Sequence, residues 1–138
     1  MQRDVPLSVA RFSKLGEHGA VWLAIGVAGA AVDGARRGEW LAGARRVALA
    51  YGVNQAIKVI VRRGRPADAR ARTLSTLSFP SAHATTAFCG ARSFARLGAP
   101  AIPLYALAAG LAASRLYLRV HHPSDVLAGA VLGTALAR

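Results

Sequence analysis

Residues 97–114 read LGAPAIPLYALAAGLAAS, eighteen consecutive positions without a charged side chain. A bilayer's hydrocarbon is crossed by ~20 apolar residues in a helix, so this run is expected to be a membrane span. Pro100 and Pro103 fall in its first turns, where proline is tolerated. Upstream, His18 to Val32 gives fifteen uncharged residues closed by Asp33 and Gly34. They are expected to be retained, since no clear processing site precedes Asp33. A helix from Trp40 to Val61 is apolar in its upper part and interrupted by Asn54, Gln55 and Lys58. Ser81 is a favoured N-cap for a helix running to about Leu97, and Pro123 suits the first position of a last helix reaching the C-terminus. Pro6 to Leu15 sets apolar residues on one side and Arg11 and Lys14 on the other, the pattern of a short helix lying in the head-group plane. The expected fold is all-α: a small polytopic membrane bundle of about five helices plus that N-terminal interfacial helix, one domain over residues 1–138. Gly129 and Gly133 form a small-residue stripe that lets helices approach closely in lipid, and Trp22 and Trp40 read as interface anchors.

Composition narrows the function classes. The chain is 54% hydrophobic, with a mean hydropathy of +0.33 and 18 basic against 6 acidic residues. Disorder would need far less apolar content, and a nucleic-acid module should show a recognition helix or exposed aromatics, which uncharged runs of this length and 7% aromatics do not offer. The surplus of cations is then read as meeting lipid head groups, Arg36, Arg37, Arg45 and Arg46 among them. A lone Cys89 excludes an intrachain disulfide and a cysteine zinc cluster; with Phe88 it is assigned to packing. Sixteen of the cations are Arg and 31 residues are Ala, a bias of GC-rich coding that also thins the hydropathy of genuine spans.

Polar residues inside apolar helices are costly and usually functional, and here they fall in three groups. Lys58 is followed after six residues by Arg65-Pro66. Pro80-Ser81-Ala82-His83 opens the third helix. Ser114-Arg115, His121 and Asp125 join the last two. Singly these are weak: His83 reads as a packed histidine, Lys58 as a snorkelling side chain, and residues 62–72 as a solvated loop. Jointly they supply what a phosphate needs. Lys58, Arg65 and Arg115 can neutralise the charge of a transferring phosphoryl group. Ser81 sets the first free amides of a helix, those of Ala82 and His83, beside an anion. One imidazole can attack phosphorus while the other protonates the departing oxygen, with Asp125 orienting the attacking ring. The set lacks the carboxylates that magnesium or a zinc pair would require, so no metal or other cofactor is expected.

In order and spacing, these three groups resemble the signatures of the type 2 phosphatidic acid phosphatase superfamily, to which vanadium haloperoxidases and bacterial non-specific acid phosphatases also belong. The resemblance covers residues 58 to 125, about half the chain. It implies that His121 is the nucleophile forming a phosphohistidine, Asp125 its orienter and His83 the general acid. Lys58, Arg65, Ser81 and Arg115 would bind the phosphate, assisted by the amide of Ala82, which stands where the family usually has glycine. His121 is favoured over His122 because it alone lies six residues after Arg115 and four before Asp125; His122 is expected to pack or face the head groups. Glu17 and His18 receive no role.

A site at helix ends near the membrane surface implies a lipid phosphate as substrate. The leading expectation is a polyprenyl-linked one, decaprenylphosphoryl-5-phosphoribose, with undecaprenyl pyrophosphate, phosphatidylglycerophosphate and phosphatidic acid as alternatives. From another class, a non-catalytic membrane scaffold is the competing reading. The expected partners are the substrate and the bilayer of the cell (inner) membrane, with no nucleic acid; a homo-oligomer is left open. Excluding the phosphate ligands, Arg3, Arg11, Lys14, Arg62, Arg63, Arg70, Arg72 and Arg119 on the site side face seven arginines on the other, so the charge bias leans only slightly to a cytoplasmic site.

Overall fold

The computed structural model describes residues 5–138; Arg3 of the charge count lies outside them. Six α-helices follow one another: α1 (Leu7–Lys14), α2 (Ala20–Val32), α3 (Arg37–Val61), α4 (Ala82–Ala95), α5 (Ala101–Tyr117) and α6 (Pro123–Leu136). Short 3-10 turns at Glu17–Gly19 and Gly34–Arg36 lead into α2 and α3. This is the expected bundle of five helices plus one, without a β-strand among the described residues.

α4 is the central rod, packed against α3, α5 and α6. Its composition suits that place, because Ala84, Ala87, Gly90 and Ala91 are small and Thr85 and Thr86 return their hydroxyls to the carbonyls of Ser81 and Ala82 (2.9 and 3.0 Å). Two contacts set the spacing. A Cβ on Gly129 would lie 2.6 Å from the Ser81 carbonyl oxygen, and one on Gly133 would overlap the Thr85 carbonyl. Backbone therefore meets backbone along the α4–α6 seam, as the stripe of small residues suggests.

The tryptophans correct the sequence reading. Trp22 is fully buried against Gly90, and Trp40, 8% exposed, stacks on Phe94 with centroids 5.5 Å apart. Trp40 Nε1 donates to Asp33 Oδ2 (3.1 Å), which also accepts from Arg36 Nε (2.8 Å). Glycine partners opposite the indoles make room for them in the core, where they bury more area than at an interface. Arg36 also spends a donor on the Leu97 carbonyl (2.7 Å), tying the α2–α3 corner to the end of α4.

The run at 97–114 becomes helical only from Ala101, after a turn in which Gly98 takes φ +89°. At 17 residues α5 spans about 25 Å, less than the ~30 Å of hydrocarbon. No single helix among the described residues is long and apolar enough to cross a membrane; α1 and the Glu17–Val32 segment pass that test together, bent by 46°. The outward faces are nevertheless apolar, with Val27, Val32, Leu49, Ile60, Ile102, Leu127 and Val131 all exposed. Apolar surface on this scale needs a non-aqueous neighbour.

Candidate active site

Three features of the fold bring the predicted residues together at one end of the bundle. α3 ends with Arg62 in the left-handed region (φ +54°), which turns the chain into the loop from 62 to 81. That loop doubles back through a Gly64–Leu77 bridge, with the Ser78 amide donating to the Arg63 carbonyl (2.8 Å). The α4 and α6 N-termini are then joined by the Ser81 amide, which donates to the Asp125 carbonyl (2.9 Å).

A cavity of about 130 Å³ lies between them, and Lys58, Arg65, Ala82, His83, Arg115 and His121 all line it. Ser81 and Asp125 are fully buried behind this wall. The Ser81 hydroxyl oxygen is the α4 N-cap, accepting from the Ala84 amide at 3.4 Å, a bond that leaves its O–H as a donor. Lys58 Nζ donates to the Pro80 and Ser78 carbonyls (2.5 and 3.3 Å), and Asn54 Nδ2 donates to the same Pro80 carbonyl (3.2 Å). Arg65 is pinned by Nε to the Ser75 carbonyl and by Nη1 to that of Val120, each at 2.7 Å. Lys58, buried, and Arg65, half-buried, are thus held by carbonyls with no carboxylate on either among the described residues, a cradle prepared for an anion.

His121 sits in the turn between α5 and α6 with its ring almost wholly buried. Arg65 Nη1 stands 3.3 Å from Nε2. A guanidinium only donates, so Nε2 carries the lone pair and Nδ1 the hydrogen. Burial first, then the charges of Arg65, Arg115 and Lys58, hold this imidazole far below its ordinary pKa, which keeps Nε2 unprotonated at neutral pH, its lone pair accepting from Arg65. Among the described residues Nδ1 has no hydrogen-bond partner, and Asp125 Oδ2 is 3.7 Å away.

The carboxylate is not reserved for His121, as expected from the spacing. Its Oδ2 accepts from the His122 amide (2.8 Å) and lies 3.2 Å from His122 Nδ1, while Oδ1 accepts from Arg63 Nη1 (3.0 Å). His122 is the α6 N-cap and Asp125 the third residue, so the two satisfy each other reciprocally. This corrects the expectation that His122 merely packs or faces head groups. Asp125→Asn keeps an acceptor for the His122 amide and removes the charge near Nδ1. It is expected to lower kcat by about 10- to 100-fold, the usual cost of disturbing an orienting partner, with little change in substrate binding by KM.

Four participants were not legible in the chain. Ser13 on α1 accepts a hydrogen bond from Arg115 Nη1 at Oγ (2.9 Å) and one from His83 Nε2 at its carbonyl (2.9 Å). Glu17 and His18 line the cavity, with His18 Nδ1 2.8 Å from the Tyr51 hydroxyl. Arg63 engages Asp125. Of these only His18, a histidine bounding an apolar run, gave any signal; the rest depend on how α1 and the loop fold back.

The arrangement can hold a tetrahedral dianion against three cations and a helix end, with two imidazoles, the His121 one neutral, on the cavity wall. Residues 44–138 match the family model described as the PAP2 superfamily. The chain is 43% identical over 122 residues to the decaprenylphosphoryl-5-phosphoribose phosphatase of Mycolicibacterium smegmatis, covering 85% of this chain and 67% of the relative. With the protein of that name from Mycobacterium tuberculosis it shares 38% identity over 141 residues, covering 99% and 79%. Among solved structures it resembles a transmembrane PAP2-type phosphatidylglycerolphosphate phosphatase from Bacillus subtilis, with a TM-score of 0.77 and 25% identity over 98% of this chain and 75% of that one. A family match over most of its length, joined to relatives of this identity and to the same helical fold, makes the chain a member of the PAP2 superfamily and a membrane phosphatase.

Proposed function

We propose that the protein hydrolyses a phosphate monoester on a polyprenyl-linked sugar, decaprenylphosphoryl-5-phosphoribose or a close analogue, through a phosphohistidine at His121 and without a metal. The observation that carries this reading is the single cavity lined by both imidazoles and by Lys58, Arg65 and Arg115. His121 Nε2 attacks phosphorus while His83 protonates the leaving oxygen; a water then cleaves the P–N bond, giving its proton back to His83. The cations and the α4 amides neutralise the charge on the three remaining oxygens. Asp125, 3.7 Å from Nδ1, gains attraction as that ring becomes cationic.

The substrate class is supported by the names of the curated relatives and by the cavity's lining. Glu17, His18, Tyr51, Gln55, Arg72, Thr73 and Ser75 also line it, beside Leu74, a largely polar set suited to the hydroxyls of a sugar. The apolar outer faces would accommodate the long tail. The proposal includes the cell (inner) membrane, with the site on the cytoplasmic side toward which the charge bias slightly leans and which would suit a phosphoribosyl lipid made inside the cell; reporters fused at either terminus test that side.

The test is phosphate release across decaprenylphosphoryl-5-phosphoribose, undecaprenyl pyrophosphate, phosphatidylglycerophosphate and phosphatidic acid. A kcat/KM highest on the phosphosugar supports the assignment, and a preference for a diacyl phosphate overturns it. Turnover is expected to persist in EDTA, since no group of three or more metal-ligating residues occurs among the described residues; loss on chelation, restored by a metal, would remove the mechanism. Vanadate is expected to inhibit competitively, as a five-coordinate mimic of phosphorus in transfer.

A further inference from the structure

We infer that the turn after α1 is a positioning element for the general acid, with the Ser13 carbonyl fixing which nitrogen of His83 faces the substrate and Gly16 admitting the ring. This rests on the catalytic reading above and assigns residues outside the three motifs. Ser13 lies in the last turn of α1, 2% exposed. Carbonyls at a helix C-terminus lack intrahelical partners and sit at its negative end. Here that orphan oxygen accepts from His83 Nε2 at 2.9 Å and from the Gly16 amide at 3.2 Å.

The bond determines the tautomer. A carbonyl only accepts, so Nε2 carries a hydrogen in both the neutral and the cationic ring, and Nδ1 is left as the nitrogen that gains and loses the catalytic proton. Nδ1 has no hydrogen-bond partner among the described residues, and His83 lines the cavity. Asp125 is proposed to play the equivalent part for His121; for His83 the orienter is a peptide group, which cannot itself titrate.

Gly16 shows how closely the turn fits. A Cβ there would stand 2.7 Å from His83 Cδ2 and 3.4 Å from Nε2, so any other residue must displace the ring or the turn. The same turn holds a phosphate ligand, because Ser13 Oγ accepts from Arg115 Nη1 (2.9 Å) and hydrogen-bonds with Ser114 Oγ (3.1 Å). Acid and cation are thereby registered to one short helix.

Two substrates separate positioning from mere structure. An alkyl phosphate needs its leaving oxygen protonated, whereas p-nitrophenyl phosphate releases p-nitrophenolate, a stable anion that does not. Gly16→Ala is expected to lower kcat/KM on the alkyl phosphate by about 10- to 100-fold, within the ~10²–10⁴ that general acid catalysis provides, with less than about a threefold loss of kcat/KM on p-nitrophenyl phosphate; kcat/KM reports the step in which the leaving group departs and excludes hydrolysis of the shared phosphohistidine, where His83 acts as base on either substrate. Ser13→Ala, which frees Arg115 and keeps the carbonyl, should raise KM several-fold on both substrates alike. Equal kcat/KM losses on both substrates in Gly16→Ala, or no loss on either, would overturn the inference. Should Gly16→Ala not fold, the wild-type chain still decides: ¹⁵N chemical shifts of labelled histidine, assigned by loss of the signal in His83→Gln, should show His83 protonated at Nε2 and bare at Nδ1, and the opposite tautomer refutes it. If His121→Ala retained activity on both substrates, the catalytic reading itself would fall instead.

Discussion

His121→Ala is expected to release phosphate at least about 10⁴-fold more slowly than the wild type, the scale of loss on removing a nucleophile that acts as one unit with its partners. Its thermal transition in detergent should stay close to the wild type. The ring stands among Arg65, Arg115 and Lys58, and its Nδ1 has no hydrogen-bond partner among the described residues; its removal takes one acceptor from Arg65 Nη1, which still donates to the Val120 carbonyl. Water can occupy the enlarged cavity and solvate the cations. His122 cannot take over, because its Nδ1 is directed at Asp125 and its backbone forms the α6 cap. His122→Ala should therefore keep turnover within about tenfold of the wild type, the low end of what an outer partner contributes. Measured side by side, the two variants assign the nucleophile: a dead His122→Ala beside an active His121→Ala would transfer the role. A phosphorylated intermediate, acid-labile and trapped by rapid quench, should vanish in His121→Ala.

How far the sequence could be read follows from the range of the forces involved. Helix starts at Ser81 and Pro123 were legible because capping is decided within one turn. The α4–α6 seam was legible because two glycines four residues apart on an apolar helix have few other uses. The tryptophans were misread because their place depends on Gly90, Gly29 and Phe94 in other parts of the chain. In the site, chemistry was encoded by residue type and spacing, so Lys58, Arg65, His83, Arg115 and His121 arrive at one cavity as the motifs imply. Orientation was not encoded. Whether Asp125 spends its oxygens on His121, His122 or Arg63 depends on which residue caps α6. Ser13 acts partly through a backbone carbonyl, a group every residue possesses and no motif can report.

Gly133→Ala should destabilise the protein, although alanine is the better helix former by about 1 kcal/mol. The sign is decided by what the methyl meets. At Gly133 it would overlap the Thr85 carbonyl and stand 3.0 Å from the Cys89 amide nitrogen, both parts of the α4 backbone. Backbone inside a packed helix has no rotamer to yield, so α4 and α6 must separate; overpacking of this kind costs about 1–3 kcal/mol. The separation acts on the seam that carries the Ser81–Asp125 backbone bond, and activity should fall with stability. Gly52→Ala is the opposite case. On α3, with nothing within 4 Å of its added Cβ, it gains the helix-forming advantage at no steric cost and should raise the midpoint of thermal unfolding. Comparing the two in one detergent isolates the contact, since the chemical change is identical. A Gly133→Ala protein as stable as Gly52→Ala would mean that the α4–α6 seam is looser than its backbone contacts require.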